Sequence, residues 1–119
     1  MFSYFVYSLI ALFSVVCFGG LMVVRMSSGK KVNRLMKRLH GASGALGVIL
    51  LLMGLVVDSW ESFELIAAVL FMGLLVGAFF VFEVWFKDRK TPMLLVFGHG
   101  TFAVICIGVL AYSLFVTGY

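Results

Sequence analysis

The sequence predicts an all-α integral membrane protein: a four-transmembrane-helix bundle of up-down topology, with both termini on the non-cytoplasmic side. Three observations lead there. The 119 residues are 64% hydrophobic and only 12% charged, against about half and about a quarter in a soluble domain. Four continuous apolar runs, each near the roughly 20 residues that a membrane helix needs, take up most of the chain. All nine lysines and arginines fall in two short segments that join alternate runs. A small soluble domain buries too little of its surface to hide this much apolar area. That excludes soluble, fibrous and disordered classes.

The elements follow in order. Span one covers about residues 3–24: no Asp, Glu, Lys, Arg or His occurs before Arg25. It reads as a retained span, because a signal peptide carries its basic residues before the apolar run rather than after it. Span two covers about 39–57, span three about 63–86 with Glu83 near its end, and span four about 92–115. Helices are the reading because membrane strands alternate in polarity over about ten residues. The run from Leu46 to Val57 does not alternate. Thr91-Pro92 is a sound helix start, since proline fits a first turn whose N–H groups lack partners. Ser59 is a candidate cap for span three, or Trp60 and Glu61 complete the turn. The whole chain, 1–119, is then one membrane domain with basic loops at 25–38 and 87–91.

Charge sets the expected orientation. Arg25, Lys30, Lys31, Arg34, Lys37 and Arg38 lie in the first connection, and Lys87, Arg89 and Lys90 in the third. The positive-inside rule places these loops in the cytoplasm. Formal charge is then +7 near that face, counting Glu83 and Asp88, and −3 on the other from Asp58, Glu61 and Glu64. The basic residues therefore read as topology determinants that also meet anionic lipid head groups. Nucleic acid is not an expected partner. Between Val32 and Leu39, apolar residues at 32, 35, 36 and 39 alternate with basic ones. That is an amphipathic approach helix or an extension of span two, and a docking element for a partner.

The chain also divides into two hairpins with a faint likeness. Each second span carries a His-Gly pair, His40-Gly41 and His99-Gly100, followed by Gly47-Val48-Ile49 and Gly108-Val109-Leu110. Either a duplicated two-span unit or chance in a Gly-, Val- and Leu-rich chain gives this pattern.

His40 and His99 are the only histidines and the residues best suited to chemistry. His40, Gly44, Gly47, Leu51, Gly54 and Asp58 share one helical face, as do His99, Ala103, Cys106, Leu110 and Ser113. Gly73 and Gly77 lie one turn apart in span three. Small faces of this kind let membrane helices pack closely, with the histidines hydrogen bonding between helices. The alternative is a flat cofactor: one b-type haem with His40 and His99 as axial metal ligands, Gly44 and Gly47 as the flat ridge and Arg38 facing the propionates. Depth counts against it. His99 lies seven residues past Pro92 and His40 only two past Arg38, so His40 looks shallower unless span two begins near Lys31. Glu83 is expected to pair with Lys87 or Arg25. Cys17 and Cys106 differ in depth by roughly 9 Å at 1.5 Å per residue, too far for a disulfide.

Phosphate loops, zinc signatures and nucleophile elbows are missing from the sequence. The first expectation is therefore a small non-catalytic helical subunit or scaffold of a bacterial inner membrane or plasma membrane. It would pack in the lipid bilayer with another membrane protein or with itself, and no cofactor is expected. The alternatives are an electron-transfer subunit holding one b-type haem through His40 and His99, and a small oligomeric transporter or channel.

Overall fold

The structure is a computed structural model that describes residues 4–58, 62–87 and 90–117. The expected cap at Ser59 and the turn through Trp60 and Glu61 lie outside the described residues. The described chain is helical: α1 (Tyr4–Ser27), α2 (Arg34–Val57), α3 (Ser62–Ala78), a π-helical segment (Phe79–Trp85) that continues α3, and α4 (Met93–Thr117). Four helices are long and apolar enough to cross a membrane. At 1.5 Å per residue, 24 residues reach about 36 Å, more than the roughly 30 Å of a hydrocarbon core.

Local chemistry fixes the helix ends. α1 stops at a Schellman turn. Gly29 takes a φ of 77°, the Gly29 N–H donates to the Met26 carbonyl at 3.1 Å, and the Lys30 N–H donates to the Arg25 carbonyl at 2.9 Å. Only glycine adopts that φ without strain. α2 starts at Arg34 because the Asn33 side chain caps it, accepting from the Met36 N–H at 2.8 Å. The helix thus begins five residues before the expected span, and the amphipathic segment 32–39 is its first turns. At the far end, the Asp58 carboxylate accepts from the Tyr4 N–H at 2.9 Å, tying the end of α2 to the start of α1. At the start of α4, the Pro92 carbonyl accepts from the N–H groups of Leu95 at 3.1 Å and Val96 at 3.4 Å.

Span three departs from a regular α-helix. Its last seven residues, Phe-Phe-Val-Phe-Glu-Val-Trp, form a π-helix, closed by the Phe86 N–H on the Val81 carbonyl at 3.0 Å. Four aromatic and two β-branched side chains crowd an α-turn at i,i+3 and i,i+4, and the wider turn relieves them.

Residue pairings define the arrangement. Along α1 and α2, Phe5 meets Gly54, Leu12 meets Gly47, and Gly19 meets His40: numbers rise on one helix as they fall on the other. Phe63 packs on Tyr112 and Phe82 on His99 in the same sense. α1 touches α2 and α4, and α3 touches α2 and α4. Among the described residues α2 and α4 make no close backbone approach, nor do α1 and α3. They are the diagonals of the bundle.

Packing is uneven along the bundle. Phe5, Leu12, Val48, Leu51, Ala67, Ala68, Phe71, Cys106 and Leu110 form the core. All lie toward the end that carries Tyr4, Asp58 and Glu64, here named the acidic end. Toward the basic end no described residue is buried: none in α1 after Leu12, in α2 before Gly47, in α3 after Phe71 or in α4 before Ala103. Glu64 is fully buried rather than standing among the surface charges. α3 has already begun at Ser62, so Glu64 shares the inward face of Ala67, Ala68 and Phe71 at i+3, i+4 and i+7.

Candidate functional site

The two histidines meet. His40 is the seventh residue of α2 and His99 the seventh of α4. Both helices start at the basic end, so each imidazole sits about 9 Å along its helix at 1.5 Å per residue. The expected mismatch in depth is absent, because the Asn33 cap starts α2 before Arg38 rather than after it. The ring centroids are 6.4 Å apart, with planes at 75°. Since α2 and α4 are diagonal, the pair spans the middle of the bundle.

The pair's surroundings are aromatic and small. Phe18 of α1 stacks on His40 at 6.2 Å and 28°. Phe82 of the π-helical segment meets His99 edge to face at 5.4 Å and 86°. His40 presses on α1 so closely that a Cβ at Gly19 would lie 2.9 Å from its Cε1. Its Nδ1 is buried with no hydrogen-bond partner. Leaving a polar atom so costs about 1–3 kcal/mol, although the Val15 backbone of α1 lies beside the ring. His99 is held differently. Gly98 and Gly100 flank it, and a Cβ on either would meet nothing within 4 Å.

The other expected site residues are not gathered there. A Cβ at Gly44 would find only Val15 Cγ1 at 3.8 Å, whereas one at Gly47 would fall 2.5 Å from Leu12 Cδ2. The Gly47 carbonyl also accepts from the Ser8 hydroxyl at 2.9 Å. α1 therefore covers the lower part of the glycine ridge, and only the part beside His40 stays open. Arg38 is exposed and, two residues from His40, lies on the far side of α2. Lys37, three residues from His40, shares its face. Glu83 is exposed, and Arg25 donates to the Lys31 carbonyl at 3.3 Å instead of meeting it. Cys106 is buried in the core and Cys17 is exposed.

Phe18, Gly19 and Phe82 were not singled out by the sequence. One signal could have found Gly19. Gly29 turns the chain, and counting outward equally from residues 29 and 30 pairs residue 19 with residue 40. For Phe82 the π-helical register hides any such count.

Two imidazoles define what the site can hold. A metal bonded to both at about 2 Å separates the ring centroids by about 6 Å. Among the described residues no group of three or more His, Cys, Asp or Glu side chains could hold a metal. Zinc takes four ligands and leaves at most one to water, so it is poorly matched. Haem iron needs only two axial ligands, which is the donor set present. Comparison with protein-family models, characterised proteins and solved structures gives no match.

Proposed function

We propose that this chain is a small membrane electron-transfer subunit that holds one b-type haem between His40 and His99. The observation that carries the reading is the meeting of two imidazoles from diagonal helices, at equal depth and 6.4 Å apart. The loosely packed half around the pair supports it. In this reading His40 and His99 would hold the haem, and Phe18 and Phe82, packed on them, would keep water from them. Lys37, rather than Arg38, is the cation on the ligand's own face. Haem supplies a reversible one-electron couple, and the protein sets its potential through ligands and burial. The bundle is up-down in a bacterial inner or plasma membrane. The basic loops are cytoplasmic and both termini lie on the other side, as the positive-inside rule requires.

The test is a visible spectrum of the purified chain, reconstituted with haemin in mild detergent, oxidised and then reduced with dithionite. A sharp reduced α band that is lost in His99→Ala and in His40→Ala is the expected result. A preparation with no such band after reconstitution overturns the proposal.

A second reading is packing against another membrane protein or a second copy. It is favoured by Gly73 and Gly77, which are exposed with nothing within 4 Å of a would-be Cβ and have the spacing of a helix-association motif. The two readings are compatible in one subunit. No such observation stands behind a transporter or channel.

A further inference from the structure

The outer face of α4 carries a groove that the histidine pair does not use. Leu94, Phe97, Gly98, Thr101, Phe102 and Ile105 line it, and its volume is about 410 Å³. Their spacing of i, i+3, i+4, i+7, i+8 and i+11 is one helical face. Ala103 and Cys106, which are buried, lie on the other side of the helix. By helical phase Phe97 and Phe102 flank the stripe as walls, and Gly98 and Thr101 form its floor. Gly98 makes the notch, because a Cβ there would meet nothing within 4 Å. The chain itself leaves this face uncovered: Leu94 is 82% exposed and Phe97 51%.

Length and charge decide what fits the groove. From Leu94 to Ile105 it runs about 17 Å at 1.5 Å per residue, close to one leaflet, half of a hydrocarbon core of roughly 30 Å. It begins at the second residue of α4, at the basic end, and stops near the middle of the membrane. A partner helix would contact α4 across both leaflets, whereas one acyl chain of the basic-end leaflet matches this length. The mouth is basic. Lys87 and Lys90 are exposed, and segment 87–90 holds three basic residues against the single acid Asp88. A second groove, between Ile49 and Val57 of α2, lies at the other end and opens beside Asp58, so it has no cation for a phosphate. We propose that the α4 groove binds one anionic phospholipid of the basic-end leaflet. Its acyl chain lies between Phe97 and Phe102 over Gly98, and its phosphate meets Lys87 and Lys90. The lipid gives the loosely packed half an outer van der Waals partner that the chain does not provide. The site is independent of the haem reading.

The full chain, delipidated in mild detergent, is titrated with phosphatidylglycerol and with phosphatidylcholine of the same acyl chains, and bound lipid is counted by native mass spectrometry. One phosphatidylglycerol per chain is expected to bind about 10-fold more tightly than phosphatidylcholine. Lys87→Gln and Lys90→Gln are each expected to weaken phosphatidylglycerol about 5-fold and to leave phosphatidylcholine unchanged. Gly98→Leu fills the notch and is expected to weaken both lipids about 10-fold. Its side chain starts in open space and leucine favours a helix over glycine, so its thermal midpoint by circular dichroism should equal or exceed that of the wild type. The lysine variants lie outside the helices and read the site independently of that substitution. Equal binding of the two lipids overturns the proposal, as does phosphatidylglycerol binding that neither the lysine variants nor a folded Gly98→Leu alters. A wild-type dimer that Gly98→Leu separates, with no lipid bound to either form, gives the groove to a second copy and overturns it as well.

Discussion

The two halves of the bundle have similarly apolar helices and opposite packing. At the acidic end glycine meets a large partner: Gly54 receives Phe5 and Gly47 receives Leu12, and the Ser8 hydroxyl closes the contact on the Gly47 carbonyl. Toward the basic end most glycines meet space: Gly20, Gly41, Gly98 and Gly100 have nothing within 4 Å of a would-be Cβ, and Gly19 against His40 is the tight exception. Apolar content does not separate the halves. Lipid tails are as apolar as leucine, so helices in a membrane associate through close van der Waals fit and interhelical hydrogen bonds. The fit exists where a small residue opposes a large one. Where it is mostly missing no described residue is buried, and that is where the histidines meet.

The strongest challenge to this contrast is a core truncation. Leu51→Ala removes a fully buried side chain and should lower unfolding stability by about 2–5 kcal/mol, read by SDS titration in mixed micelles. Leu35→Ala, at an exposed position of the same helix, should stay within about 0.5 kcal/mol. Similar losses at both would erase the distinction between the halves. Next is Gly47→Ala, whose new Cβ meets Leu12 Cδ2 at 2.5 Å and Cγ at 2.7 Å. A loss of about 1–3 kcal/mol is expected in the same titration, whereas Gly41→Ala should be neutral or stabilising. A stable Gly47→Ala would mean that α1 does not press on α2 there.

Smaller effects refine the boundary. Ser8→Ala deletes one buried interhelical hydrogen bond and should lose about 0.5–1 kcal/mol. Hydrogen exchange at the first turns of α1 would localise that loss to the acidic end. Asp58→Ala removes the carboxylate on the Tyr4 N–H and should lose about 0.5–1 kcal/mol. The measurable consequence is faster exchange at the start of α1 with the midpoint of unfolding nearly unchanged.

Much of the fold is legible in the sequence because membrane helices announce themselves by length and apolarity, and four such helices are present. Details that depend on one side chain are less visible. Asn33 moves the start of α2 by five residues, about one and a half turns, relative to the charge pattern, and that shift turns a shallow His40 into the partner of His99. Glu64 looks like a surface acid by its position next to a connection, yet it is buried because helical phase, not proximity to a loop, decides which way it faces. The face of span two reads as one continuous glycine ridge, but α1 covers only part of it. Which part depends on the side chains of the opposing helix.

By itself, the sequence determined the spans and the location of the rare polar groups, since lipid tolerates only helices with satisfied backbones and confines charge to their ends. It also determined that every basic residue belongs to alternate connections. Only the tertiary structure decided that His40 and His99 share one level and one space, and that the two ends of the bundle pack differently. Those facts depend on where each helix starts, on its rotation, and on which side chain opposes each glycine. Hydropathy carries none of that information, because it treats every apolar neighbour as equivalent.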